Sequence, residues 1–256
     1  MLKKLLWGLL ALLLLATLVV AVWMSIPFAY QQDRTQQALL SDDAVLVSQT
    51  PWYQFVPKAQ QPTDGVIFYP GGKTAPETFA PVMRHFAEQG MLAVIVPMPL
   101  NTAFLGVNKA DAVMASYPAI ERWHLIGHSL GGVAAAAYAN RQPEQLSSLL
   151  FWASYPASDL SALTVPTLSL SAALDSQTTP EKIQAYRQRF PGNTLFMELP
   201  AANHWQYGYF ADALNTESGL QSRNKQIEQL VAHSLAFIHS QQPVDRLPLT
   251  EQEPLP

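Results

Sequence analysis

Six short, mostly apolar runs separated by helical patterns constrain the fold of this chain more than any other feature. They are "GVIFYP" (65–70), "MLAVIVP" (91–97), "RWHLIG" (122–127), "SSLLFWA" (147–153), "PTLSLS" (166–171) and "TLFMEL" (194–199). Most lack the alternation of a strand with one wet face, so they read as parallel strands covered on both sides. Between them, "FAPVMRHFAEQG" sets Phe79, Val82, Met83 and Phe86 at three- and four-residue spacing and ends on Gly90, a helix with an apolar stripe and a glycine stop. "GGVAAAAYANRQP" and "EKIQAYRQRF" continue the rhythm, and a last helix near 222–239 carries Ile227, Leu230, Val231 and Leu235. Strands alternating with helices imply right-handed crossovers and an α/β fold with helices on both faces of a mostly parallel sheet. Ahead of them, "AVLVSQTPWYQFVP" (44–57) reads as two antiparallel strands broken at Thr50-Pro51.

The ends differ from the middle. Residues 5–24 form an uncharged apolar run behind Lys3 and Lys4, about 30 Å long as a helix and so matched to a bilayer core. The run exceeds the apolar region of a cleavable signal, and Trp23-Met24 follow its one small-residue cleavage site. We therefore read 1–29 as a membrane anchor, with the lysines keeping the amino terminus in the cytoplasm and the rest outside, periplasmic or extracellular. Glutamine-rich 30–43 reads as a polar stalk, 44–240 as the folded domain and proline-bearing 241–256 as a disordered tail. The chain's net charge of −4 comes with no basic stripe, which argues against nucleic acid as a partner. It has no cysteine, so disulfides, thiolate metal sites and a cysteine nucleophile are all excluded.

The chemistry centres on "LIGHSLGG", where Gly127-His128-Ser129-Leu130-Gly131 fits G-x-S-x-G. Five residues alone mean little, but an apolar strand precedes them and a small-residue helix follows, the context of a nucleophile on a sharp strand-to-helix turn. That turn aims the Leu130 N–H, at a helix amino terminus, where a tetrahedral oxyanion forms. "FYPGGKT" after an earlier strand supplies the second donor, Gly72 first and Lys73 next. Gly72-Lys73-Thr74 imitates the end of a phosphate-binding loop, but the required upstream glycine is Ile67.

A serine hydroxyl needs a histidine to take its proton, and that histidine needs a carboxylate to orient it. Of six histidines, His85, His124, His233 and His239 fall on helices or strands, and the His128 side chain is expected to point away from Ser129. His204, in "LPAANHWQYG", follows the last strand, at the strand end where sites of open α/β sheets form. Asp175 in "SLSAALDSQTTPEK" follows the preceding strand, with Asp159 the runner-up acid. The order Ser129, Asp175, His204 is that of the α/β-hydrolase arrangement.

With "FYPGGKTAPETFAP", "MLAVIVPMPLNTAF", "GHSLGG", "LDSQTTPEK" and "ANHWQYG" in this order, the chain resembles the α/β-hydrolase superfamily. More narrowly, it is similar to membrane-anchored bacterial enzymes of the dienelactone-hydrolase type. The resemblance implies an eight-stranded, mostly parallel sheet and a Ser129/Asp175/His204 triad that uses neither metal nor organic cofactor. Two departures stand out: Ala172-Ala173 and Ala201-Ala202 occupy places where relatives often carry glycine.

The expected function is carboxylic ester hydrolysis through an acyl-enzyme. Acyl transfer or peptide cleavage by the same triad, or a non-catalytic binding protein keeping the fold, are the alternatives. Met98, Leu100, Phe104, Trp152, Trp205 and Tyr207 are candidates for an apolar acyl pocket. Too few residues separate Ala153 from Pro166 for a large cap, which favours small to medium soluble esters over long-chain lipids. The partners expected are such an ester and, through the first helix, a lipid bilayer.

Overall fold

The structure is a computed structural model that describes residues 2–241. Its elements are α1 (Leu2–Ser25), α2 (Gln32–Ala38), β1 (Val45–Ser48), β2 (Tyr53–Pro57), β3 (Asp64–Tyr69), α3 (Ala80–Glu88), β4 (Leu92–Ile95), α4 (Lys109–Ser116), β5 (Arg122–His128), α5 (Leu130–Ala139), β6 (Ser148–Trp152), β7 (Thr167–Ala172), α6 (Pro180–Tyr186), β8 (Leu195–Leu199) and α7 (Arg223–Ser240). The eight strands make one sheet in the order β1-β2-β4-β3-β5-β6-β7-β8. The β1–β2 hairpin is antiparallel and β2 also runs against β4, while every other neighbouring pair is parallel.

The continuous apolar runs are explained by what covers them. Alternate residues of each central strand enter opposite cores. Val66, Phe68, Ile126, Leu150 and Trp152 pack with α3 and α7, whereas Ile67, Tyr69, Leu125, Leu149 and Phe151 pack with the alanines of α5. Both faces are dry, so a polar residue left without a partner on either face is costly. Two of the buried polar side chains show such partners: the Trp152 indole N–H donates to Ser234 Oγ at 3.1 Å, and the Tyr207 hydroxyl donates to the Leu170 carbonyl at 2.9 Å.

Far from the carboxyl ends of the strands, a polar latch joins β3, β5 and β6. Arg122 grips Asp64 through Nε at 2.6 Å and through Nη2, His124 Nε2 lies 3.2 Å from Asp64 Oδ1, and His124 Nδ1 lies 2.8 Å from Ser148 Oγ. Burial alone would raise the Asp64 carboxyl, but hydrogen bonds from His124 and Arg122 outweigh it and hold the group well below the usual carboxylate range. Burial lowers His124, which favours a neutral ring donating from Nε2 to Asp64 and accepting the Ser148 hydroxyl at Nδ1.

The segment read as a polar stalk is not a free linker. Its residues 32–38 form α2, which packs on α3 with Thr35, Ala38 and Leu39 buried. The residues just before it are stitched to the domain: Phe28 N–H donates to the Lys73 carbonyl, Gln31 N–H to Tyr209, and Ala211 N–H to Ala29. Glutamine-rich composition hid a helix whose few small or apolar residues suffice to dock it. The helix α1 itself is long and apolar enough to cross a membrane by length and composition, and none of it is buried. The tail read at 241–256 lies outside the described residues, Gln241 excepted.

Candidate active site

The strand β5 ends at His128 and α5 begins at Leu130, leaving Ser129 alone at the corner with φ 52 and ψ −123. A non-glycine residue in that region costs about 1–3 kcal/mol and persists only when its surroundings impose it. Here they do. Ser129 N–H donates to the Trp152 carbonyl at 3.0 Å, and the Ser154 hydroxyl donates to the Ser129 carbonyl at 2.6 Å. The flanking glycines let strand and helix approach: a Cβ on Gly131 would lie 2.0 Å from the Tyr69 carbonyl oxygen, and one on Gly127 would lie 2.4 Å from Gly132 Cα. Ser154, at the end of β6, left no signal in the sequence.

The loops after β7 and β8 bring Asp175 and His204 together. Asp175 Oδ2 accepts the His204 Nδ1–H at 2.8 Å, while Oδ1 accepts the N–H groups of Gln177 and Thr178 at 2.8 and 2.7 Å. Both side chains are buried. Three donors on one carboxylate fix its orientation, and the bond to Nδ1 sets the imidazole tautomer that leaves Nε2 free to accept a proton. Asp159 is fully exposed and its carboxylate accepts from its own turn, at Ser161 N–H, so it has no part in this arrangement.

Ser129, Leu130, Gly72 and His204 line one cavity of about 240 Å³. Leu130 is the first residue of α5, so its N–H has no intrahelical acceptor. Among the described residues the Gly72 N–H donates to nothing, whereas the Lys73 N–H is taken by the Asn101 carbonyl at 2.8 Å. Of the two loop donors weighed in the sequence, Gly72 is therefore the one with a free hydrogen.

The acyl-pocket residues divide. Trp205 lines the cavity, beside Phe28, Tyr155 and Phe210. Met98 is buried in the core against α5, and Trp152 and Tyr207 are fully buried in the opposite core. Leu100 and Phe104 are exposed on short turns after β4, outside the cavity lining. Proximity to a strand's carboxyl end does not decide which way a side chain points. His128 also differs from expectation: its ring reaches the cavity and packs at a tilt against His204 with centroids 4.6 Å apart. Complete burial, and then the charge His204 can carry, push His128 well below its ordinary value. It is therefore an uncharged wall behind the candidate base.

The alpha/beta hydrolase family profile matches residues 65–228, and the chain belongs to that family. Its fold is similar to Est1E from Butyrivibrio proteoclasticus with ferulic acid bound, at TM-score 0.57 and 14% identity over 78% of this chain and 98% of that one. It is likewise similar to Est2, a thermophilic esterase from the Planctomycetes species Thermogutta terrifontis, at TM-score 0.54 and 15% identity over 76% and 91%. A third similar structure is TT1662 from Thermus thermophilus, at TM-score 0.55 and 14% identity over 77% and 98%. No curated protein matches the chain.

Proposed function

We propose that this protein is a serine hydrolase of carboxylic esters. The observation that carries this reading is the buried Asp175–His204 pair opening on the same cavity as Ser129, with the Leu130 and Gly72 N–H groups unspent beside it. Similarity in fold to proteins described as esterases agrees with it.

In the first half-reaction, Ser129 Oγ forms a bond to the ester carbonyl carbon as its proton passes to His204 Nε2. The Leu130 and Gly72 N–H groups stabilise the oxyanion. Collapse breaks the ester C–O bond, and His204 returns the proton to the departing alcohol. Water, deprotonated by His204, then cleaves the acyl-enzyme and releases the acid. Asp175 orients His204 and stabilises the imidazolium in both halves. The cavity suits a small to medium acyl group.

A fluorophosphonate probe should label Ser129 of the wild-type chain, located by peptide mapping, and should not label Ser129→Ala. Failure of the folded wild-type protein to label would end the reading.

In the same reading α1 is an uncleaved anchor, with Lys3 and Lys4 in the cytoplasm and the hydrolase domain on the other side. A reporter fused to the carboxyl terminus should be active only outside the cytoplasm, and an active cytoplasmic reporter contradicts that orientation.

A further inference from the structure

The end of α1 meets the domain at the candidate oxyanion loop. The Ser25 carbonyl accepts from Asn101 Nδ2 at 2.9 Å. The Asn101 carbonyl accepts the Lys73 N–H, and the Lys73 carbonyl accepts the Phe28 N–H at 2.7 Å. Lys73 Nζ sits 3.8 Å over the Trp23 ring. Phe28, three residues beyond the helix, then becomes part of the cavity wall and packs edge-on against Trp205 at 5.2 Å. The last turn of the apolar helix and the mouth of the cavity are thus joined by a closed chain of hydrogen bonds rather than by a slack tether.

Apolar side chains are exposed on the segments that meet here. Ile26 follows the helix and is 58% exposed, and Leu100, 42% exposed, shares its turn with the Asn101 that caps the helix end; farther along the same segment Phe104 is 52% and Leu105 59% exposed, beside Lys109 and Arg141. Trp23 beside a lysine marks the depth at which aromatic rings and cations sit in a bilayer interface. If that helix spans a bilayer, the hydrogen-bonded junction holds the cavity mouth near its surface, a medium that accepts exposed leucine and phenylalanine.

We propose that the substrate is a lipid ester resident in the bilayer, taken up from the membrane surface on which the cavity mouth sits. This rests on the ester-hydrolase reading and names its substrate class. The carbonyl reaches Ser129 while the rest of the acyl chain stays over the apolar rim, and ester plus water gives acid plus alcohol. Sequence favoured small soluble esters because no cap covers the sheet; here the bilayer takes the cap's place in shielding the chain.

The test uses the full chain, anchor included, in phosphatidylcholine vesicles. The bilayer-held probe is 4-methylumbelliferyl oleate and the aqueous one 4-methylumbelliferyl butyrate. Wild type is expected to cleave both, and Phe104→Ser with Leu105→Ser to lose at least about tenfold on the oleate while keeping the butyrate rate within about twofold, since even one such side chain withdrawn from an apolar medium is worth about a tenfold factor or more. Because the chain has no cysteine, Phe104→Cys carries a single fluorophore, which a nitroxide-bearing lipid should quench while the same label at exposed Gln145→Cys is spared. Cleavage of butyrate but not oleate, an equal effect of the double variant on both, or an unquenched label at 104 overturns the proposal and leaves the hydrolase reading standing. If Ser129 also fails to take a fluorophosphonate, both fall.

Discussion

At the scale of residues, the arrangement assigns separate duties to neighbouring groups. Asp175 holds three hydrogen bonds, two of them from backbone N–H groups that an amide oxygen can still accept. Asp175→Asn should therefore fold, yet force the His204 tautomer that blocks proton acceptance, lowering kcat by about 10⁴. An unchanged Tm beside that loss separates orientation from stability, and a variant retaining wild-type kcat contradicts the assigned role. The residues proposed as a triad were legible in the sequence because each has a positional signature: a serine between glycines, an acid and a histidine after consecutive late strands. His128, Ser154 and Phe28 were not legible. What places them is a side-chain direction at a strand end, a hydroxyl just past the neighbouring strand β6, and a return of the amino-terminal segment, none of which leaves a local pattern. Ala201 shows the reverse, since the position read as a departure from glycine does adopt a positive φ of 52, and alanine bears that strain.

At the scale of elements, the β5–α5 corner and the Asp64 latch lie at opposite ends of the same strands. Gly131→Ala drives a Cβ into the Tyr69 carbonyl, so β3 or α5 must shift. The expected cost is about 3 kcal/mol or more, seen as a lower Tm or as insoluble protein, whereas Gly192→Ala, with open space around it, should change stability by less than about 0.5 kcal/mol. The latch sets a pH dependence. Because the Asp64 carboxyl is held below its unfolded-chain value, its contribution is complete above about pH 4 and is lost as pH falls further. Depression of buried His124 acts in the same direction, beginning below about pH 6.5. Urea titrations should therefore show stability falling toward acid, and Asp64→Asn should flatten the part below about pH 4. The strands themselves were read to within a residue or so at most ends, since continuous apolar runs bounded by proline and glycine admit few alternatives.

At the scale of the whole molecule, the amino-terminal third joins the others. A stalk was inferred at 30–43 because polar composition reads as solvent exposure, yet α2 and Leu39 are part of the main core. Leu39→Ala should cost about 2 kcal/mol or more; a free stalk would make it silent. The helix α1, the Gly72–Lys73 loop and the cavity mouth form one continuous structure, so under the proposed reading position at the membrane and access to Ser129 are coupled by geometry.

The central claim is that Ser129 carries the acyl group. Acid quenching of the enzyme during turnover of p-nitrophenyl acetate, followed by mass spectrometry of its peptides, tests it most directly. One acetyl group on the peptide bearing Ser129, absent from Ser129→Ala together with the turnover, is the predicted result; acetyl on another residue, or undiminished turnover by Ser129→Ala, would contradict it.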